Sequence, residues 1–292
     1  MSNKQASREI LKLAEKNNLM AEGQSGNRKR RRANLLLLNK VLLNDLLRQK
    51  KQSGAIAMND LIGCFDRICH TVAILVLMSF GLSWIPAKTL FEVLQRTEHR
   101  IKTGFGISKP AYGISDPPQN GCGQGNAVGG LAWALISTVM LNVMEKKGHV
   151  ATARSALSLS IISIVSFSYV DDTDLPFISE SRETTGEQLQ EPLQKTLDTW
   201  SNLVVVTGGE LSAKKSWLYV IDFKWDGEKW EYKRLEEIEG EYYLLDRNKN
   251  KEKLKRLDVS EACETLGGFI AIDGNETKQK ESLRNLCEKY AD

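Results

Sequence analysis

The chain has 292 residues, enough for one large domain or two small ones, and its 41% hydrophobic and 26% charged content is ordinary for a soluble globular protein. Its five cysteines (Cys64, Cys69, Cys122, Cys263, Cys287) are odd in number and form no CxxC pair, which excludes a disulfide framework or zinc site and fits free thiols in a reducing compartment. The net charge of +3 conceals an asymmetry: residues 1–52 hold 13 Lys/Arg against 4 Asp/Glu, leaving 27 against 33 for the remainder. A basic arm ahead of an acidic body suits a polyanionic partner that also meets metal-binding carboxylates; a solvated charged helix is the plainer alternative. The polar N-terminus shows no signal peptide, and the apolar runs around 72–78 and 131–143 are too short or too interrupted to span a bilayer. An intracellular protein without membrane attachment, nuclear or cytoplasmic, is expected.

In chain order, residues 3–18 predict a short amphipathic helix, and Glu22 to Asn27 a break. The basic run Arg28-Lys29-Arg30-Arg31-Arg32 leads into a leucine-rich helix from about Ala33 to Lys51. Guanidinium forks suit triphosphates and nucleic-acid backbones, and the run also reads as a nuclear-localisation patch. A short buried strand from Ala55 to Asn59 ends on Asp60. Helices over about 67–80 and 85–99 follow, then a glycine-bearing ribbon over 100–115 and a rigid Asp116-Pro117-Pro118 turn. The loop Gly121-Cys122-Gly123-Gln124-Gly125-Asn126 opens a helix from about Ala127 to Lys147; its spacing is not that of a nucleotide-cofactor fingerprint.

Residues 161–170 climb through β-branched and aromatic side chains to Asp171-Asp172, and the chain turns apolar again from Leu175 to Ile178. This predicts a β-hairpin with two carboxylates at its tip. Adjacent like charges repel and are costly to desolvate unless cations sit there, so such a tip is a natural place to hold Mg²⁺ for phosphoryl transfer. A polar turn is the bland alternative. Beyond it, 181–207 predicts a surface helix, 217–225 and 229–232 a hairpin about Asp226-Gly227, 264–272 a strand, and the chain closes on a short helix. The order of elements predicts an α+β fold with a largely antiparallel sheet.

A strand ending on Asp60 with Phe65 five residues on, a Gln124-Gly125 loop before a helix, and Tyr169-Val170-Asp171-Asp172 on a hairpin resemble, in that order, the palm of a reverse transcriptase. The resemblance runs from about Gln24 to Gly274 and is nearest to the enzymes of non-LTR retrotransposons and group II introns. Gln24-Ser25-Gly26-Asn27-Arg28 resembles a fingers pattern, Gly208 to Lys215 resembles motif D, and Leu266-Gly267-Gly268 resembles the motif E strand. The resemblance implies an RNA-directed DNA polymerase that extends a DNA primer on an RNA template with dNTPs, using two Mg²⁺ ions for which Mn²⁺ can substitute. It implies Asp60 and Asp171 as metal bridges with Asp172 in support, and Phe65 as a gate against the 2′-hydroxyl. Gln124 and Gly125 would lie against the nascent base pair, Arg28 and Arg31 on the triphosphate, and Lys215 would serve as acid to the leaving pyrophosphate. It divides the chain into partial fingers (1–53), a palm (54–225, with a fingers insertion at about 82–120) and a closing region (226–292) that ends the palm and starts a truncated thumb.

Two departures set expectations. Asn27 stands where the fingers pattern has an aromatic residue. Little chain precedes it and eighteen residues follow Gly274, as in a fragment of a larger retroelement protein. The competing readings are a palm remnant that binds RNA–DNA duplex without turnover and, more weakly, an RNA-dependent RNA polymerase.

Overall fold

The computed structural model describes residues 2–98, 100–109, 118–123, 125–155 and 158–291. Helix α1 (Asn3–Lys16) starts at Ser2, whose hydroxyl accepts from the Gln5 amide at 3.3 Å. Helix α2 (Ala33–Lys50) buries Leu36, Leu43 and Leu47 along one side and stops at Lys51, which adopts a left-handed conformation. Strand β1 (Gly54–Asn59) is buried at every residue, as only a central strand is. The helix expected from Arg67 is two pieces: a single turn, α3 (Cys64–Arg67), and α4 (His70–Ser79). Helix α5 (Trp84–Gln95) starts where expected and ends earlier than the expected 99. The expected ribbon is confined to β2 (Lys102–Thr103) and β3 (Gly106–Ile107), and residues 110–117 lie outside those described.

Helix α6 (Ala127–Lys146) is long and apolar enough by length and composition to cross a bilayer, which corrects the reading of its sequence as too interrupted. In this fold 72% of that stretch is buried inside the molecule, with Leu131, Trp133, Leu135 and Leu141 at the centre of the core. The long strand expected over 161–170 is also two pieces. Strand β4 (Ala151–Arg154), which the sequence did not announce, pairs with β5 (Ile161–Ile164); β6 (Phe167–Tyr169) belongs to the main sheet with β7 (Asp172–Ile178). The break falls where Gly23 lies against Ser166, so close that a Cβ on it would meet the serine Oγ at 2.5 Å. The Gln24 segment then runs along β6 as a parallel partner, and β5 is left to pair elsewhere.

The helix expected over 181–207 begins only at α7 (Gln190–Val206), and it is not a surface helix, because Leu193, Leu197, Trp200 and Val204 are fully buried. Strand β8 (Trp217–Ile221) is followed by the hairpin β9 (Phe223–Trp225) and β10 (Trp230–Tyr232), then by β11 (Tyr243–Leu245), β12 (Lys251–Lys253) and β13 (Lys255–Leu257). The strand expected over 264–272 folds back on itself as β14 (Cys263–Thr265) and β15 (Gly268–Ile270). Leu266 and Gly267 both have positive φ, as a two-residue hairpin turn requires, so the residues expected as a motif E strand form a turn and its exit. Helix α8 (Thr277–Ala291) closes the chain.

Five strands form the main sheet in the order β13-β8-β1-β7-β6, antiparallel except for the β13–β8 edge. The period of two sorts its side chains onto two faces. Ala55, Ala57, Leu175, Leu218 and Val220 face the core built on α4, α6 and α7. Ile56, Met58, Phe167, Tyr219 and Ile221 face a second core built on Leu36, Leu43 and Leu47 of α2. Helix α2, expected as part of a fingers arm, is therefore the second layer of the sheet. The result is a mixed α+β fold of helix, sheet and helix layers.

Candidate active site

The register of the sheet assembles the acidic site. Asn59 of β1 pairs with Thr173 of β7, so one further step sets Asp60 beside Asp172, on the face that α2 covers. Asp60 is fixed from both sides: its amide donates to Ser216 Oγ at 3.1 Å and its carbonyl accepts from the Ser212 amide at 3.0 Å. These contacts also bring Lys215 to the carboxylates. Asp60, Asp172, Asp174 and Lys215 line one cleft of about 360 Å³, together with Glu264, Thr265, Leu266 and Gly267.

Asp171 occupies the turn between β6 and β7, directly after Val170. Val170 has φ +60, a left-handed conformation that a β-branched residue adopts only under constraint, at a cost of about 1–3 kcal/mol. The constraint is visible. Trp133 of α6 donates its indole N–H to the Val170 carbonyl. Gly26 approaches so closely that a Cβ there would stand 2.2 Å from the Val170 amide nitrogen. Fully buried Gln24 donates to Ser137 Oγ at 2.9 Å and accepts from the Gly26 amide at 2.7 Å, bracing that approach. The residues around Gln24 thus brace the hairpin tip from behind.

The electrostatics are those of crowded like charges. Partial burial pushes the Asp60 carboxyl above its usual range, Asp171 adds to the shift, and Lys215 opposes it. Asp172 keeps an edge toward solvent, yet the protein packed around its carboxyl, and then Asp171, Asp174 and Asp60, push it up to about 6 against the pull of Lys40. Repulsion of this kind is relieved by a cation. The donors are all carboxylate oxygens, which suit a hard divalent ion such as Mg²⁺ better than zinc. Among the described residues, no three His, Cys, Asp or Glu side chains close around a single point as a finished metal cage.

The other expected residues are placed as follows. Phe65 is half-buried in α3, against Gly129 of α6, where the absent side chain leaves room for its ring. Gly125 is exposed with φ +82 just before α6; Gln124 lies outside the described residues. Arg28, expected on a triphosphate, is engaged within the fold. Its guanidinium forks onto Glu15 at 2.6 and 2.9 Å and donates to the carbonyls of Ala21 and Gln24 at 2.6 and 2.9 Å, and its side chain is 6% exposed. It ties α1 to the Gln24 segment. Arg31 pairs with Glu22 at 2.6 Å and lines a separate, larger cavity of about 680 Å³ between α2, β5 and the end of α6, away from the carboxylates.

Sequence reasoning missed the pair beneath the site. Lys40, in the middle of α2, forms an ion pair with Asp174 of β7, and both side chains are buried. The Asp172-Thr173-Asp174 alternation, which sets two carboxylates on one strand face, and the lone cation in a leucine run were its legible signals.

Neither a family model nor a curated protein matches the sequence. Among solved structures, the chain is similar to apo telomerase from Candida tropicalis truncated from its C-terminal domain, at 12% identity and a TM-score of 0.44, over 86% of this chain and 44% of that one. It is also similar to telomerase from Candida tropicalis in complex with a TWJ fragment of telomeric RNA, at 11% identity and a TM-score of 0.45, over 85% of this chain and 37% of that one. The chain spans less than half the length of either.

Proposed function

We propose that this chain is the polymerase core of a retroelement reverse transcriptase, extending a DNA primer on an RNA template with dNTPs. The observation that carries this reading is the placing of Asp60 beside Asp172 across the β1–β7 register, in a cleft that also holds Lys215, with Asp171 near enough to raise both carboxyls. Asp60 and Asp171 hold the metal ions, and Asp172 adds its charge beside them. A bound pair of Mg²⁺ ions supplies activation of the 3′-hydroxyl and offsets charge on the departing pyrophosphate. The strained Val170 turn keeps Asp171 presented toward the incoming nucleotide. Lys215 delivers a proton to the leaving pyrophosphate. Phe65, backed by Gly129, closes the space that a 2′-hydroxyl needs, and Gly125 with Gln124 lies along the nascent base pair. The basic arm draws in the duplex through its backbone. The remaining domains of the retroelement protein, and any clamp on the duplex, belong to the same proposal.

A second reading, a palm remnant that binds RNA–DNA duplex without turnover, is favoured by one observation: Arg28 is committed to Glu15 and is not free to grip a triphosphate. Primer extension on an RNA template with Mg²⁺ and dNTPs separates the two. Product from the wild type and none from Asp171→Ala is expected; no product from a folded wild type leaves the remnant, and equal product from both overturns the metal site.

A further inference from the structure

Lys40 has no part in the roles above, yet its side chain is 3% exposed in a region crowded with carboxylates. It makes two connections. One is the ion pair with Asp174, which shares a strand face with Asp172 two residues away. The other is a 2.5 Å hydrogen bond to Thr265 Oγ1, the last residue of β14. The two partners belong to different elements that line the acidic cleft, Asp174 to β7 with Asp172, and Thr265 to the β14–β15 hairpin with Glu264, Leu266 and Gly267. One turn before Lys40, Leu37 packs on Gly268 so tightly that a Cβ there would meet its Cδ2 at 2.8 Å. The β14–β15 turn therefore rests on α2 through a packing contact and is linked to β7 through the ammonium.

We propose that Lys40 is a positioning residue: it clamps the β14–β15 turn to the acidic strand and so sets the gap across which the carboxylates face that turn. It also commits Asp174 to an internal pair, leaving Asp172 as the carboxylate of the two without that partner. The clamp is a statement about geometry; its consequence for extension rests on the polymerase reading.

The test uses the full chain and two variants. Thr265→Val removes one arm and keeps the ion pair, while Lys40→Met with Asp174→Asn removes both arms without changing net charge or leaving a lone buried ion. Amide hydrogen exchange is the primary readout. Exchange over 262–270 is expected to rise about tenfold in both variants, with β1 and β8 unchanged. Unchanged exchange over 262–270 in both overturns the clamp, and so does a uniform rise across the sheet, which marks Lys40 as general core support. In primer extension the apparent KM for primer–template is expected to rise about tenfold with kcat within about threefold. A fall in kcat alone, with KM unmoved, overturns the positioning role. A wild type that extends nothing, with the exchange result as expected, overturns the polymerase reading and keeps the clamp.

Discussion

Carboxylates stand at both ends of strand β1, and they are treated in opposite ways. At its start, Gly54 pairs with Ile221, and the next residue, Asp222, is buried and fully answered. Ser53 Oγ donates to it at 2.7 Å, the amides of Phe223 and Gly186 at 2.8 and 2.9 Å, and Lys233 pairs with it at 2.7 Å. Burial works against its ionisation, but those four partners outweigh burial and hold it below the usual carboxylate range. At the far end of the same strand, Asp60 and Asp172 are pushed up, first by burial and then by neighbouring carboxylates. A carboxylate that completes a fold collects donors. At the acidic end Lys215 and Lys40 oppose the shift without outweighing it.

The contrast can be broken from either end. The largest effect is expected at the acidic end: Asp60→Asn lowers primer extension on the order of 10³-fold, while thermal unfolding shows a midpoint unchanged or raised, because a charge that burial disfavours is gone. At the other end the effect is on the fold. Asp222→Ala costs about 3 kcal/mol in urea unfolding, because it strands Lys233 and three donors. Next comes the brace behind the tip. Gly26→Ala forces the Val170 backbone to move and costs about 2 kcal/mol, with a loss of extension that Ala at exposed Gly104 does not match. The smallest effect is in pH dependence, and it has opposite signs at the two ends. The lowered Asp222 contributes stability above its unfolded value, and that contribution is lost as pH falls through its folded value. The raised Asp172 favours the folded state at low pH, and that contribution fades as pH rises through about 6. Urea unfolding across pH 3–8 on the order of single-unit steps should show Asp222→Asn flattening the acid limb and Asp172→Asn gaining relative stability toward neutrality.

The sequence made the carriers of this contrast unequally legible. Strand β1, the tip at Asp171-Asp172 and helix α6 were readable because their signals are local: an apolar run, a charge pair, a glycine loop before a helix. Asp60 was readable only through its order relative to the tip. Asp222 was not readable at all, since its partners come from residues 53, 186, 223 and 233. The same holds for Lys40, whose two contacts lie 134 and 225 residues on. Arg28 shows the converse failure. A basic run invites a polyanion, but one member of it was already matched to Glu15, thirteen residues back. Strand breaks at 165–166 and 266–267 were missed because each depends on a neighbouring segment or a left-handed turn that residue preferences do not announce.

The pairing of Asn59 with Thr173 makes this protein more vulnerable to insertions than to substitutions. One added residue between 173 and 178 would invert the strand on one side of itself, either carrying Leu175 toward α2 or turning the acidic tip into the apolar layer beneath α6. A scan of single-codon insertions should therefore find this six-residue window intolerant, while the exposed Asp226-Gly227 turn absorbs the same lesion.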